Sequence, residues 1–168
     1  HRAKFSATRE RSIGVGALGF HAYLQRNGIA FEGVMAKVAN NKMFKHIRSK
    51  LDEANLELGG ERGSPGDCAG TGLRFAHVMA VAPNASSSIL MGNTSPSIEP
   101  YRANAYRQDT LSGSHLNKNK FLDAILRAKG LTEEQMQDTW SSIIANDGSC
   151  QHLDILDETQ KDVFKTGM

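Results

Sequence analysis

A helix-rich α/β fold is predicted by three features of the sequence. Apolar residues recur at helical spacing in four stretches, and a single apolar run with β-branched members lies among them. Segments rich in Gly, Ser, Asn or Pro punctuate the rest. With 168 residues, the chain is one ordinary domain or a generous piece of a larger one.

The spacing of Ile13, Ala17, Phe20 and Leu24 predicts a helix over 8–27, stopped by Asn27-Gly28. Ala36, Ala39, Met43, Ile47, Leu51, Ala54 and Leu58 step by three or four and predict a second helix over 35–58. Gly59-Gly60 supplies its expected break. Residues 59–72 hold six Gly and one Pro and read as a loop. Phe75 to Ala82, ended by Pro83, reads as a buried strand. Residues 84–100 are dense in Asn, Ser, Gly and Pro, and read as a structured loop with one helical turn at Ser86 to Met91. A third helix is expected over 118–129, with Phe121, Leu122, Ile125 and Leu126 on one face. Thr132 opens a capping box for a fourth through about Ala145. Asn146-Asp147-Gly148 is a turn, and Asp157-Glu158-Thr159-Gln160 is a weaker cap signal. The resulting organisation is one domain over 1–168. It has a helical pair at 1–60, a Gly-rich loop at 61–74, the strand and following loop at 75–100, and a helical region at 101–168.

Composition bounds the function classes. Hydrophobic residues make up 39% and charged residues 23%, as in a globular protein rather than a disordered or coiled one. The longest apolar runs fall far short of the roughly 20 residues of a membrane span, and no charged-then-apolar leader opens the sequence. A net charge of +2, from 20 basic and 18 acidic residues, is too balanced to argue for a nucleic-acid partner. Two cysteines, Cys68 and Cys150, fit free structural thiols in a reducing cytoplasm. The chain opens on His1 rather than Met, and its last residues, Asp162 to Met168, follow a helical pattern that has barely begun. A segment of a longer protein is therefore expected, the other possibility being a processed or recloned domain.

Gly14-Val15-Gly16-Ala17-Leu18-Gly19 matches the dinucleotide-binding pattern letter for letter, but a charged stretch, Thr8 to Ser12, precedes it instead of a buried strand. Close packing of a helix is the expected role of these small residues. The sharper signal is Val81-Ala82-Pro83-Asn84-Ala85-Ser86-Ser87-Ser88. An apolar run enters Pro and turns through small hydroxyl and amide residues, which leave backbone N–H groups accessible at the start of a helix. Such a loop can hold phosphate by dipoles and hydrogen bonds, and it can equally be a serine-rich helix cap with nothing bound. The six His are scattered without metal-ligand spacing, and no metal site is expected. His77 reads as a satisfied core residue, and Glu53 and Glu57 as a solvated helix face.

Four stretches in order resemble the large, catalytic subunit of class I ribonucleotide reductase. They are Arg9 to Leu24, Leu73-Arg74 through Ala80 to Ser88, Gly92-Asn93 followed by Ser97-Ile98-Glu99-Pro100, and Asn146 to Gln151 running into Lys161 to Thr166. Asn84 and the Thr-Ser-Pro-Ser-Ile-Glu-Pro stretch resemble the bacteriophage forms. The resemblance implies a fragment of that family's ten-stranded α/β barrel, with the loop at the C-terminal end of its strand. It places binding of the substrate's phosphates on Asn84, Ala85, Ser86 and Ser87, with Asn84 and Ser87 standing where the family often has Thr. It implies reduction of ribonucleoside diphosphates to 2′-deoxyribonucleoside diphosphates by thiyl-radical chemistry. The catalytic residues are not on this chain: the family's Asn-x-Cys-x-Glu stretch should precede His1, and its tyrosines and cysteine tail should follow Met168. No cofactor is implied in this segment. The whole enzyme is implied to need a metal-radical small subunit, a thioredoxin- or glutaredoxin-type reductant and ATP or dNTP effectors. The implied partners are the diphosphate substrate, the remainder of the large subunit and the small subunit, with no nucleic acid and no membrane, in the cytoplasm. The segment alone should lack reductase activity, and its strand, cut from a barrel, should favour self-association. From the residues alone, a stand-alone phosphate-binding module and a helical interaction domain both remain open.

Overall fold

The computed structural model describes residues 1–111 and 113–167. Met168, the last residue of the expected C-terminal helical pattern, lies outside them. The fold is helix-rich, and the chain divides into two compact units. One comprises His1–Ala17 and Lys37–Pro83; the other comprises Leu18–Ala36 and the chain from Asn84 on. No described helix is long and apolar enough to cross a membrane.

In the first unit, helix α1 (Arg2–Glu10) ends at Arg11, whose left-handed backbone lets its N–H bond back to the Ala7 carbonyl. The expected helix over 8–27 is therefore not continuous. From Ile13 the chain is extended: the Ile13 and Val15 N–H groups donate to the His77 and Val78 carbonyls, and the Ala80 N–H donates to Val15. Val15 and Met79 form a parallel bridge. The glycines of the refused motif do permit close packing, but in an extended segment. A Cβ on Gly14 would stand 2.8 Å from the Ala80 Cβ, and one on Gly16 would meet the Ala80 carbonyl oxygen. The helical spacing misled because period-2 and period-4 positions overlap in so short a run.

The expected strand over 75–82 is reduced to a single bridge at Met79, and the run is not buried. Val78 alone is buried, Val81 is 52% exposed and His77 faces solvent, so His77 is not a core residue. Alternation across an extended backbone turns His77 outward where Val78 turns in.

Helix α3 (Val34–Arg62) contributes all but its first three residues to this unit. It runs straight through Gly59-Gly60, the expected break, and stops at Gly63, whose φ is +73°. Gly59 is there for clearance: a methyl would collide with the Gly72 carbonyl and stand 3.1 Å from the Arg74 amide. Arg74 Nη1 donates to the Arg62 and Gly63 carbonyls at 2.9 and 3.0 Å, satisfying carbonyls at the helix end. Buried Asn55 accepts the Arg74 and Phe75 N–H groups on Oδ1 and donates to the Phe75 carbonyl, tying α3 to the extended segment. The Gly-rich loop holds a short 3₁₀ turn (Gly66–Cys68) that buries Cys68, with Arg9 paired to Asp67. Glu53 is solvated, as expected, and pairs with Lys50 at 2.7 Å.

In the second unit, α2 (Phe20–Arg26) follows Gly19, and α4 (Ala85–Leu90) replaces the expected turn at 86–91. The region from 101 is not wholly helical. Strands β1 (Ala105–Thr110) and β2 (Gly113–Lys118) form an antiparallel ribbon in register from Ala105↔Lys118 to Thr110↔Gly113. Helices α5 (Lys120–Ala128), α6 (Glu133–Ala145) and α7 (Glu158–Val163) follow. Both predicted caps are full capping boxes, Thr132 with Gln135 and Asp157 with Gln160. The core is built from Leu122, Leu126, Met136, Trp140, Ile143 and Phe164, with Leu156 and Val163 beside them. The expected turn at 146–148 has Asp147 and Gly148 at positive φ. Gly148 packs so tightly on Ala103 that no side chain fits, and its carbonyl accepts the Asn104 N–H.

Candidate functional site: the α4 loop and its supports

Asn84, Ala85, Ser86 and Ser87 stand together at the start of α4. The first turn of a helix leaves its N–H groups without intrahelical partners, and here the side chains around them are small. Ala85, Ser86 and Ser87 are exposed and Asn84 is half-buried. Ser88 turns inward: its Oγ donates to the Ala85 carbonyl at 2.7 Å and its N–H to the Asn84 carbonyl at 2.8 Å. Ala85, Ser88 and Ile89 line one side of a cavity of about 550 Å³, with Tyr101, Tyr106 and Ile144 among its other walls. Arg102, Arg107 and Asp147 also border it.

At its far end α4 turns through Gly92 (φ +81°) and Asn93 (φ 53°). The Asn93 and Thr94 N–H groups bond back to the Ile89 and Ser88 carbonyls. Three side chains hold this turn. Tyr106 Oη donates to Asn93 Oδ1 at 2.9 Å, Tyr101 Oη to the Asn93 carbonyl at 3.2 Å, and Lys120 Nζ to the Gly92 carbonyl at 3.2 Å. Burial pushes the Tyr101 hydroxyl up to about 12, so it remains a proton donor across the physiological range.

Behind the turn lies a buried polar network. His21 Nδ1 accepts the Tyr101 N–H at 2.8 Å, which places the ring proton on Nε2, toward the Val163 carbonyl. Gln25, one helical turn on, accepts from Asn119 Nδ2 at 2.8 Å, and the same amide donates to Asn104 Oδ1 at 2.9 Å. Asn104 Nδ2 in turn donates to the Phe164 carbonyl at 2.8 Å and lies 3.6 Å from Cys150 Sγ. All five side chains are buried. Desolvation holds His21 down at about 4 and pushes the Cys150 thiol up to about 11. At neutral pH His21 is thus an uncharged structural ring and Cys150 an unreactive thiol. Cys68 is likewise free and buried. Among the described residues no cluster of His, Cys, Asp and Glu could hold a metal ion. Both cysteines are thus buried thiols, and the start of α4 presents amides and small hydroxyl side chains.

The four predicted site residues are contiguous in sequence, and the structure places them together at the start of α4. The supports were missed because they come from separate elements. Two signals were available: His21 and Gln25 are four apart on a helix face otherwise filled by apolar residues, and Asn119 directly precedes an apolar-periodic run, as an N-cap does.

Comparison with known proteins places these features in context. A family model described as the ribonucleotide reductase barrel domain matches residues 1–68 and 65–168. The ribonucleoside-diphosphate reductase large subunit of Invertebrate iridescent virus 6 is 56% identical over 167 residues, spanning 98% of this chain and 17% of the viral protein. That of Invertebrate iridescent virus 3 is 53% identical over 165 residues, spanning 98% and 26%. Among solved structures, the Actinobacillus ureae class Id ribonucleotide reductase alpha subunit superposes with a TM-score of 0.84 at 44% identity, over 95% of this chain and 28% of that one. The chain thus spans between 17% and 28% of the length of these relatives.

Proposed function

Since the chain belongs to the ribonucleotide reductase large-subunit family, through its barrel domain, we propose that it forms part of a catalytic subunit that reduces ribonucleoside diphosphates to 2′-deoxyribonucleoside diphosphates. Its own contribution is to hold the substrate's diphosphate on Asn84, Ala85, Ser86 and Ser87. The observation that carries this reading is the start of α4, where first-turn amides and the exposed hydroxyls of Ser86 and Ser87 adjoin Ala85 and Ser88, which line a cavity bordered by Arg102, Arg107 and Asp147.

The chemistry of the reading divides between this chain and the rest of the enzyme. A diphosphate is bound here by fixed dipoles and hydroxyl donors, with no lysine in the loop to add a point charge. Binding through the phosphates orients the ribose without touching the reacting carbon, so these residues contribute equally in ground and transition states. The radical and the electrons belong to other parts: a metal-radical small subunit, a dithiol reductant and cysteines on the remainder of the large subunit, with ATP or dNTP effectors acting elsewhere. The diphosphate, the rest of the large subunit and the small subunit are the partners of this reading, in the cytoplasm.

A hydrogen bond to a charged partner contributes about 1.5–3 kcal/mol. In a full-length large subunit carrying this segment, Ser86→Ala should therefore raise KM for the nucleoside diphosphate at least about tenfold, with kcat held within about twofold. Steady-state kinetics with the small subunit and a dithiol reductant measures this. An unchanged KM would remove the phosphate-loop assignment.

A further inference from the structure

Helix α4 has only six residues. So short a helix does not hold itself in water, because the nucleation cost exceeds what its few internal bonds return. Its position must be imposed by tertiary contacts, and three side-chain bonds gather at its C-terminal end. Gly92 and Asn93 adopt the left-handed backbone that ends the helix, and Tyr101, Tyr106 and Lys120 each bond to this two-residue turn.

We infer that Tyr101, Tyr106 and Lys120 are positioning residues, a clamp on the Gly92–Asn93 turn that sets where α4 presents the amides and hydroxyls of Asn84–Ser87. The inference rests on the reading of that segment as the substrate-phosphate loop. Each jaw is fixed from behind. Tyr106 lies in β1, whose partner β2 is in register along its full length. Tyr101 is held by its N–H bond to His21. Lys120 is the first residue of α5, whose N-cap Asn119 accepts the Phe121 and Leu122 N–H groups and donates to Gln25 and Asn104. His21 therefore anchors Tyr101, and the bonds of Asn119 to Gln25 and Asn104 anchor the start of α5 and with it Lys120. Lys120 brings a second benefit, since a cation at a helix C-terminus is favoured by the helix dipole. None of the three needs to touch the substrate; each acts through the helix it holds.

The test uses a full-length large subunit carrying this segment, with Tyr106→Phe, Lys120→Met, Lys120→Arg and Ser86→Ala compared. Loss of one hydrogen bond on the clamp, neutral for Tyr106 and solvent-exposed for Lys120, should raise KM for the nucleoside diphosphate about three- to tenfold in Tyr106→Phe and Lys120→Met. In both, kcat should stay within about twofold, and Lys120→Arg should restore KM. Hydrogen exchange at the Asn93 and Thr94 amides should quicken in Tyr106→Phe, while the thermal transition of Trp140 fluorescence stays in place, separating a local loosening from global unfolding. If Ser86→Ala raises KM but Tyr106→Phe and Lys120→Met do not, the clamp is refuted and the phosphate loop stands. If Ser86→Ala leaves KM unchanged, the reading beneath the clamp fails, and the clamp with it.

Discussion

His21 shows how much one side chain can carry without taking part in chemistry. Its ring is fully buried, packed edge-on near Phe31 at 5.3 Å and tilted against Tyr101 at 5.6 Å. Desolvation lowers its pKa to about 4, and no charged neighbour offsets this. The unfolded chain would protonate near 6.5, so between about pH 6.5 and 4 the unfolded state binds the extra proton. Stability is therefore intact above about 6.5, falls as the pH drops, and levels off below about 4. The total loss is on the order of 3 kcal/mol. Trp140, the single tryptophan and a core residue of the same unit, provides the readout through urea unfolding followed by its fluorescence. A stability flat across that pH range, or a His21→Asn variant with the same slope as the parent, would contradict this account. None of this could be read from the sequence, where His21 is one of six scattered histidines. Burial is a property of the packed fold, and the same limit explains why His77, expected inside, lies outside.

Helices with strong end signals were legible, and elements defined by long-range pairing were not. Thr132 and Asp157 mark their capping boxes within four residues of sequence, and α5 declares itself by its apolar stripe. The β1–β2 ribbon carries polar residues on both faces, so it lacks the alternation that betrays a half-buried strand. The extended segment 13–17 exists only because 77–80 pairs with it. Glycine was the most misleading residue, since the same letter marks a helix end at Gly63 and a helix interior at Gly59 and Gly60. Their environments predict opposite outcomes for the same substitution. Gly16→Ala drives a methyl into the Ala80 carbonyl and should destabilise the pairing by about 1–3 kcal/mol. Gly60→Ala meets open space on a helix and should stabilise by about 0.5–1 kcal/mol. Hydrogen exchange at the Val15 and Ala80 amides, both bonded across the pair, should speed up in the first variant and not in the second. Equal behaviour of the two variants would show that the close approach at Gly16 carries no energetic weight.

At the scale of the whole molecule, the family was legible because its motifs are local and ordered, while the degree of burial was not. The apolar run at 75–82 reads as a core strand, yet Val81 is 52% exposed. Other large apolar side chains are exposed as well: Leu90 at 86%, Val34 at 79%, Met91 at 68% and Met35 at 60%. Sequence patterns record what a residue is suited to be buried against, and a chain spanning 17% to 28% of its relatives' length need not contain those neighbours. Apolar side chains left in water at neighbouring positions, such as Leu90-Met91 and Val34-Met35, favour contact with any similar surface. Charge opposes this only weakly, because a net of +2 gives little mutual repulsion. The 168-residue chain should therefore self-associate, its weight-average mass in sedimentation equilibrium rising with protein concentration. Association driven by apolar contact should persist or strengthen at high salt, which separates it from ion pairing between copies. Replacing Leu90 and Met91 together by Ser and Gln should lower the association constant while leaving the Trp140 fluorescence transition unchanged. A chain that stays monomeric at all concentrations, or whose association vanishes in high salt, would show that these exposed side chains are not what brings copies together.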